Sequence, residues 1–376
     1  MSATAPILAL GLMSGTSRDG IDAALVTTDG ERMLECGPAL TLAYAPEFRQ
    51  RLAAVMGGRG PVAEVERELT VLHAEAVEAL LQTSGTPREA VGLIGFHGQT
   101  ILHAPERRQT WQIGDGALLA ELTGIDVVND FRSRDVAEGG EGAPLAPLYH
   151  AAMTGGLPRP VAVLNIGGVA NVTWIGPATA DAPAGADRLI AFDTGPGNAL
   201  LDDWALRHTG QPVDRDGALA RAGRVDEPAL RQLLAHPYFE QPAPKSLDRD
   251  AFSLEPVERL SPADGAATLV AFTAASAARA AALFPAPAGR WLVVGGGRRN
   301  PAIMAELGAR LGVPVDAVEE IGWDGDAIEA QAFAYLAVRS IRGLPITLPT
   351  TTGAPRPLTG GRLHPRPATR RAAGAR

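Results

Sequence analysis

Two stretches of this sequence share one pattern, and that pattern limits what the chain can fold into. An apolar run from Ile7 to Leu12 leads into Ser14, Gly15, Thr16, Ser17, Arg18, Asp19 and Gly20, and a second apolar run from Ile21 to Val26 leads out. The same order returns, more weakly, at Val161–Ile166, Gly167-Gly168 and Val169–Ile175. Short apolar runs separated by small polar residues read as strands joined by a tight turn. Such a hairpin tip offers backbone N–H groups and hydroxyls to an anion, and glycine lets the backbone approach without an intervening Cβ. The first tip has two readings, a phosphate loop or an ordinary Gly/Ser/Asp turn. The stretch alone does not choose between them.

At 376 residues the chain is long for one domain, and 46% hydrophobic against 20% charged residues supplies apolar material for large cores. The expected division puts residues 1–150, with a returning segment at about 343–365, in a first domain and 151–342 in a second, with the linker at 155–160 near the junction. Residues 366–376 end a tail rich in Pro, Gly and Arg and are expected to be disordered. A net charge of −8 argues against a nucleic-acid footprint. Cys36 is the single cysteine, which excludes an internal disulfide framework and a cysteine zinc site. No apolar run is expected to reach the roughly 18 residues of a membrane span, and no basic leader is present, so a cytoplasmic protein is expected. Of 34 Lys and Arg residues only Lys245 is lysine, and it follows Pro244. A Gly-Lys-Ser/Thr phosphate loop is therefore excluded.

Further candidates stand at element ends. Residues 61–82 carry apolar side chains at helical spacing, with His73 among them. Residues 92–96 read as a short buried strand ending in His97-Gly98-Gln99-Thr100, and open α/β sheets gather ligands at such ends. Val127-Val128 runs into Asn129-Asp130-Phe131-Arg132 and a glycine-rich loop. Arginines beside such a turn suit a polyanion or sugar hydroxyls, and a solvated loop is the plain alternative. Ile190-Ala191-Phe192 reads as a strand delivering Asp193 at its end, ahead of a turn and a helix. Asn198 suits the helix cap, which leaves Asp193 for another role. An alanine-rich helix from Ala266 to Leu283 is expected to be buried. Gly295-Gly296-Gly297 follows the strand Trp291–Val294, and its bare backbone suits close approach of an adenine, a ribose or a packed helix. A last helix opens at 325–329 and runs to about Arg342. Neither HExxH nor GxSxG occurs.

Taken together and in order, these blocks resemble the anhydro-N-acetylmuramic acid kinases of the actin, Hsp70 and sugar kinase superfamily. The resemblance covers nearly the whole chain. It rests on Gly11 to Asp22, Gly95-Phe-His-Gly-Gln-Thr100, Asn129-Asp-Phe-Arg132, Gly142-Ala-Pro-Leu145, Asn165-Ile-Gly-Gly-Val-Ala-Asn171, Phe192-Asp-Thr-Gly-Pro-Gly-Asn198, Pro244-Lys-Ser246, Val294-Gly-Gly-Gly297 with Asn300-Pro301, and Asp324 to Phe333. It implies an α/β, two-domain actin-like ATPase (ribonuclease H-like) fold with an inter-domain cleft that closes around substrate. It also implies an enzyme using ATP and Mg²⁺ that opens the 1,6-anhydro ring of 1,6-anhydro-N-acetylmuramic acid with water and phosphorylates O6. The products would be N-acetylmuramic acid 6-phosphate and ADP, in peptidoglycan recycling.

The same resemblance implies site residues. Gly15, Thr16, Ser17, Arg18, Asp19, Gly20, Ile21 and Asp22 are expected to hold ATP, with Gly167, Gly168, Gly295, Gly296 and Gly297. Asp193 is the expected general base and Glu329 a second catalytic carboxylate. Arg132, His97 and Asn165 are expected at the sugar, and Asp19 at Mg²⁺, mostly through water. The expected partner is the small-molecule substrate, not nucleic acid or membrane, with a homodimer left open. The alternatives are another sugar kinase of the superfamily and a non-catalytic nucleotide-dependent sensor. Departures from the family pattern are Arg18 at a commonly apolar position, Arg298 and Arg299 where smaller residues are common, and Glu141 in place of glutamine.

Overall fold

The structure, a computed structural model, describes residues 5–15, 17–177 and 189–367. Thr16, the Ala/Pro/Asp stretch at 178–185 and the last nine residues of the tail lie outside them. The chain divides into two compact units. The first comprises Met1–Met153, Ala327–Pro349 and Ala354–Arg376, and the second comprises Thr154–Asp326 and Thr350–Gly353.

In the first unit β1 (Ile7–Ser14) pairs antiparallel with β2 (Gly20–Thr28), and β2 pairs antiparallel with β3 (Met33–Ala43). On its other edge β1 pairs parallel with β4 (Leu93–Ala104). The outer half of β4 takes β5 (Gln109–Ile113) antiparallel, and its inner half takes β6 (Val127–Asn129) parallel. The strand Arg362–His364 completes the far edge against β6, so the tail is built into the sheet as far as it is described. One expectation is corrected here. The strand at 92–96 does not end at Phe96, because β5 supplies ladder partners for Gln99 through Ala104. His97 to Thr100 therefore lie inside a strand. Gly98 allows this at φ +71°, where a Cβ would sit 2.2 Å from the Ile113 carbonyl oxygen.

The second unit repeats the plan. β7 (Val161–Ile166) pairs antiparallel with β8 (Val169–Ile175), which pairs antiparallel with β9 (Leu189–Pro196). β7 also pairs parallel with β10 (Trp291–Val294), and β10 with β11 (Val315–Ala317). The orders β3-β2-β1-β4-β6 and β9-β8-β7-β10-β11 are one topology used twice. The expectation of Asp193 at a strand end is corrected. β9 continues to Pro196, and Asp193 pairs with Asn171 inside the ladder.

The alanine-rich helix Pro262–Ala280 fills the core of this unit, capped by the Ser261 side chain. With the short turn that follows, to Leu283, it is long and apolar enough to cross a membrane by length and composition, contrary to expectation, but 72% of its apolar window is buried within the protein. Trp204 lies flat enough on it that a Cβ at Gly265 would fall 2.2 Å from the indole.

Residues 327–342, expected in the second domain, belong to the first. The helix Ile328–Ile341 packs on β1, β2 and β4. Gly11 and Gly95 are register partners across β1 and β4. A Cβ at Gly11 would lie 1.7 Å from the Ala330 carbonyl oxygen, and one at Gly95 would lie 2.1 Å from that of Phe333. The helix backbone thus rests directly on the sheet backbone, at a place where only glycine fits. Gly11→Ala and Gly95→Ala should each lower the unfolding midpoint in urea or on heating, by a cost at or above the about 1–3 kcal/mol of core overpacking. The second substitution should add less than the first, because both lift the same helix. Full additivity in unfolding measurements on the double variant would contradict a shared seat.

Candidate functional site

The first unit carries a hairpin tip, a guanidinium and a pair of carboxylates. The tip begins at Ser14, whose hydroxyl donates to Gln99 Oε1 at 2.7 Å and accepts from Tyr44 Oη at 2.8 Å. This buried chain ties the loop to β4 and to the end of β3. Nothing in the sequence pointed to it, because its partners are far apart in the chain. Arg18 N–H closes a turn onto the Gly15 carbonyl at 3.1 Å, and Arg18 sits at φ 55°, a left-handed conformation that costs a bulky residue. The Ser17 hydroxyl donates to Asp19 Oδ1 at 2.6 Å, and Thr41 donates to Asp22 Oδ1 at 2.6 Å. Gly20 and Ile21 serve packing as well. A Cβ at Gly20 would lie 2.6 Å from the Leu42 carbonyl oxygen, and Ile21 is buried in the core. Of the eight loop residues expected at ATP, these two can contribute only backbone, and Thr16 is outside the described residues.

Arg132 and His97 are brought together. Arg132 Nε donates to His97 Nε2 at 3.1 Å, and its Nη1 donates to the Gly142 carbonyl at 2.7 Å. Because Nε2 accepts, the imidazole proton sits on Nδ1, which donates to the Gly98 carbonyl at 2.9 Å. Burial, with the Arg132 charge, holds His97 well below the usual histidine range, so the ring is neutral. Phe333 packs against His97 at 4.5 Å between ring centroids. Gly142 is placed in turn by the buried Asp135, whose Oδ2 accepts its N–H at 2.7 Å. Burial lowers Arg132 to about 10, against the opposing charges of Glu329 and Asp135. Glu141 is felt by His103, whose ring pairs with Thr110 at 3.0 Å.

Glu329 stands in the first turn of the helix seated on Gly11 and Gly95. Solvent reaches its side chain, yet the surrounding protein withdraws enough water to push its carboxyl above the usual range. The Asp22 charge pushes in the same direction, and Arg132 opposes both. Asp22, Arg132 and Glu329 therefore form one electrostatic group with His97 behind it.

In the second unit the candidate glycines form one cluster. Asn198 N–H donates to the Gly167 carbonyl at 2.7 Å, and Gly197 and Ala199 donate to that of Gly168 at 2.9 and 3.2 Å. Asn198 stands at the helix cap position, but contrary to expectation its side chain does not cap the helix. Its Nδ2 donates instead to the Ile166 carbonyl at 3.0 Å, locking the turn. Gly295 lies at φ +76°, where a Cβ would fall 2.3 Å from Asn165 Oδ1, and a Cβ at Gly297 would fall 2.3 Å from Ile166. Asn165, expected at the sugar, thus packs on the triple glycine of its own unit. Arg298 is a buried clamp. It donates to Glu319 at 2.7 Å, to Asp326 at 2.9 Å and to the Gly295 carbonyl at 3.0 Å.

Asp193 is held on three sides. Its N–H donates to the Lys245 carbonyl at 3.0 Å, its Oδ2 accepts the Leu247 N–H at 2.8 Å, and its carbonyl accepts from Tyr238 Oη. Of the residues around it, Lys245 stood out in the sequence as the lone lysine and within the Pro244-Lys-Ser246 block, whereas nothing marked Tyr238. Among the described residues no group of three or more His, Cys, Asp or Glu could hold a metal. A Mg²⁺ ion carried by nucleotide phosphates needs only one or two carboxylates and water, which Asp19 on the exposed hairpin tip suits.

A five-strand order used twice, with a small-residue hairpin turn in each copy, is the arrangement of the two-domain actin-like (ribonuclease H-like) fold. The chain belongs to the anhydro-N-acetylmuramic acid kinase family, whose model matches residues 7–366. It is 62% identical over 365 residues to the anhydro-N-acetylmuramic acid kinase of Rhodospirillum rubrum, covering 96% of this chain and 94% of that protein. It is 59% identical over 361 residues to that of Paramagnetospirillum magneticum, covering 95% and 99%.

The raised carboxyl of Glu329 has a consequence for stability. The folded protein holds this proton more tightly than the unfolded chain does, so stability falls as pH rises from the ordinary value near 4.5 through the raised one, and the penalty persists above it. Glu329→Gln should therefore melt higher than the native protein at about pH 8, with the gap closing toward about pH 4. A gap independent of pH, read by thermal melts across that range, would remove the assignment.

Proposed function

We propose that this protein converts 1,6-anhydro-N-acetylmuramic acid, water and ATP into N-acetylmuramic acid 6-phosphate and ADP. The observation that carries the reading is the anchoring of Asp193 in a chain of this family, with one carboxylate oxygen fixed by a backbone N–H. Water attacks C1 and its proton passes to Asp193. The C1–O6 bond breaks with its electron pair on O6, and O6 takes the γ-phosphoryl group as ADP leaves. A water attacking an oxocarbenium-like carbon needs only modest activation, which a carboxylate supplies. Capture of O6 by phosphorus relieves the cost of a poor alkoxide leaving group.

In this reading the candidates for nucleotide binding are the 15–22 tip in the first unit and, within the second unit, its own glycine cluster, each through backbone N–H groups in place of a Walker lysine. Arg132, aimed by His97 and Gly142, and Glu329 bind the sugar. Mg²⁺, when bound by the phosphates, water and Asp19, neutralises charge on the transferring group. The same reading assigns the protein to peptidoglycan recycling in the cytoplasm.

Turnover in ¹⁸O-water should place label on C1 of the product, and unlabelled product would leave a plain sugar kinase. Asp193→Asn should lower kcat by about 10²–10⁴-fold while ATP still binds, as measured by calorimetry. Normal turnover in that variant would refute the base assignment.

A further inference from the structure

The chain has 34 Lys and Arg residues and writes all but one of them as arginine. The exception, Lys245, lies on the segment that brackets Asp193. That segment runs from Tyr238 to Leu247, and its contacts with Asp193 come from both ends, from the Tyr238 hydroxyl at one and from the Lys245 carbonyl and Leu247 N–H at the other. The Lys245 side chain joins those ends. Its Nζ donates to the Tyr238 carbonyl at 3.1 Å and stands 4.4 Å from the centroid of the Tyr238 ring. Tyr238 itself is buried. Its hydroxyl is held well above the usual range by burial and by the Asp193 charge, so it stays a neutral donor.

An ammonium is a compact charge with three donors, and it can face a ring and the carbonyl of the same residue at once. A planar guanidinium spreads its donors in a fixed fork and would meet the ring and the carbonyl with a different geometry. Arg279 and Glu240 are the other charged groups that act on Lys245, and they pair with each other.

We propose that Lys245 is a positioning residue for the general base, its ammonium closing the 238–247 segment that fixes the plane of the Asp193 carboxylate. The proposal rests on the reading of Asp193 as base. Misplacing a catalytic group by about 1 Å can cost about 10²-fold in rate, so loss of this closure acts on the chemical step and spares nucleotide binding.

A single lysine makes the test clean. In the folded enzyme, acetylation removes the ammonium charge, whereas reductive dimethylation keeps both the charge and one N–H donor. The α-amino group is the other amine, and Lys245→Arg treated in parallel controls for it, with mass spectrometry confirming complete modification. Acetylation should lower kcat about 10–100-fold with KM for ATP and the unfolding midpoint nearly unchanged, and Lys245→Met should match it. The dimethylated enzyme should keep most of its activity. Unchanged kcat after acetylation would overturn the proposal, as would equal losses in both modified forms, which would point to bulk, or a loss that tracks a fallen unfolding midpoint. If Asp193→Asn keeps turnover, the base assignment falls and takes this inference with it. If Asp193→Asn is inactive while acetylation is harmless, only the role of Lys245 falls.

Discussion

The contact on which the first unit depends is backbone against backbone. Gly11 and Gly95 lie side by side on β1 and β4, and the helix Ile328–Ile341 comes down on them with no side chain between. This closeness brings Phe333 against His97 and puts Glu329 within electrostatic reach of Asp22 and Arg132. A methyl group at either glycine would lift the helix and with it every one of those contacts. Packing and site geometry here are one constraint.

The second unit reaches its order by other means. Its glycine turns are stitched by short backbone hydrogen bonds, and the side chains of Asn198, Thr273 and Arg298 take up carbonyls that the turns leave over. Asp193 gains its fixed orientation because it sits inside a ladder and not at a loose strand end. A carboxylate held this way needs little reorganisation when it accepts a proton, which is the condition under which electrostatic preorganisation acts.

Much of the fold was legible because it is local. Apolar runs with small-residue turns marked both hairpins, and helical spacing marked the helix Val62–Ser84. What escaped was set by distant partners. The strand holding His97 runs on because β5 pairs with it, and Asp193 is interior because β9 continues through Thr194 and Gly195. A glycine in a sequence says that something comes close, not what. Gly11 sat in an apolar run that read only as a strand, and it serves as room for a helix. The helix at 328 was assigned to the wrong unit for the same reason, since its nearest neighbours in the chain are not those it packs against. The family motifs named Arg132, Glu329 and Asp193 by position. The Ser14–Gln99–Tyr44 chain and the buried Arg298 clamp came only with the structure.

The split course of the first unit also bears on how the protein is made. Its sheet is synthesised first, but the helix that covers Gly11 and Gly95 lies beyond the whole of Thr154–Asp326. At about 5–20 residues per second, that interval leaves the bare seat uncovered for roughly nine to thirty-five seconds on the ribosome. The second unit, nearly continuous in the chain, can fold during that time. The first to emerge is thus the last to close, and during synthesis its β1–β4 face stays bare until the helix Ile328–Ile341 arrives.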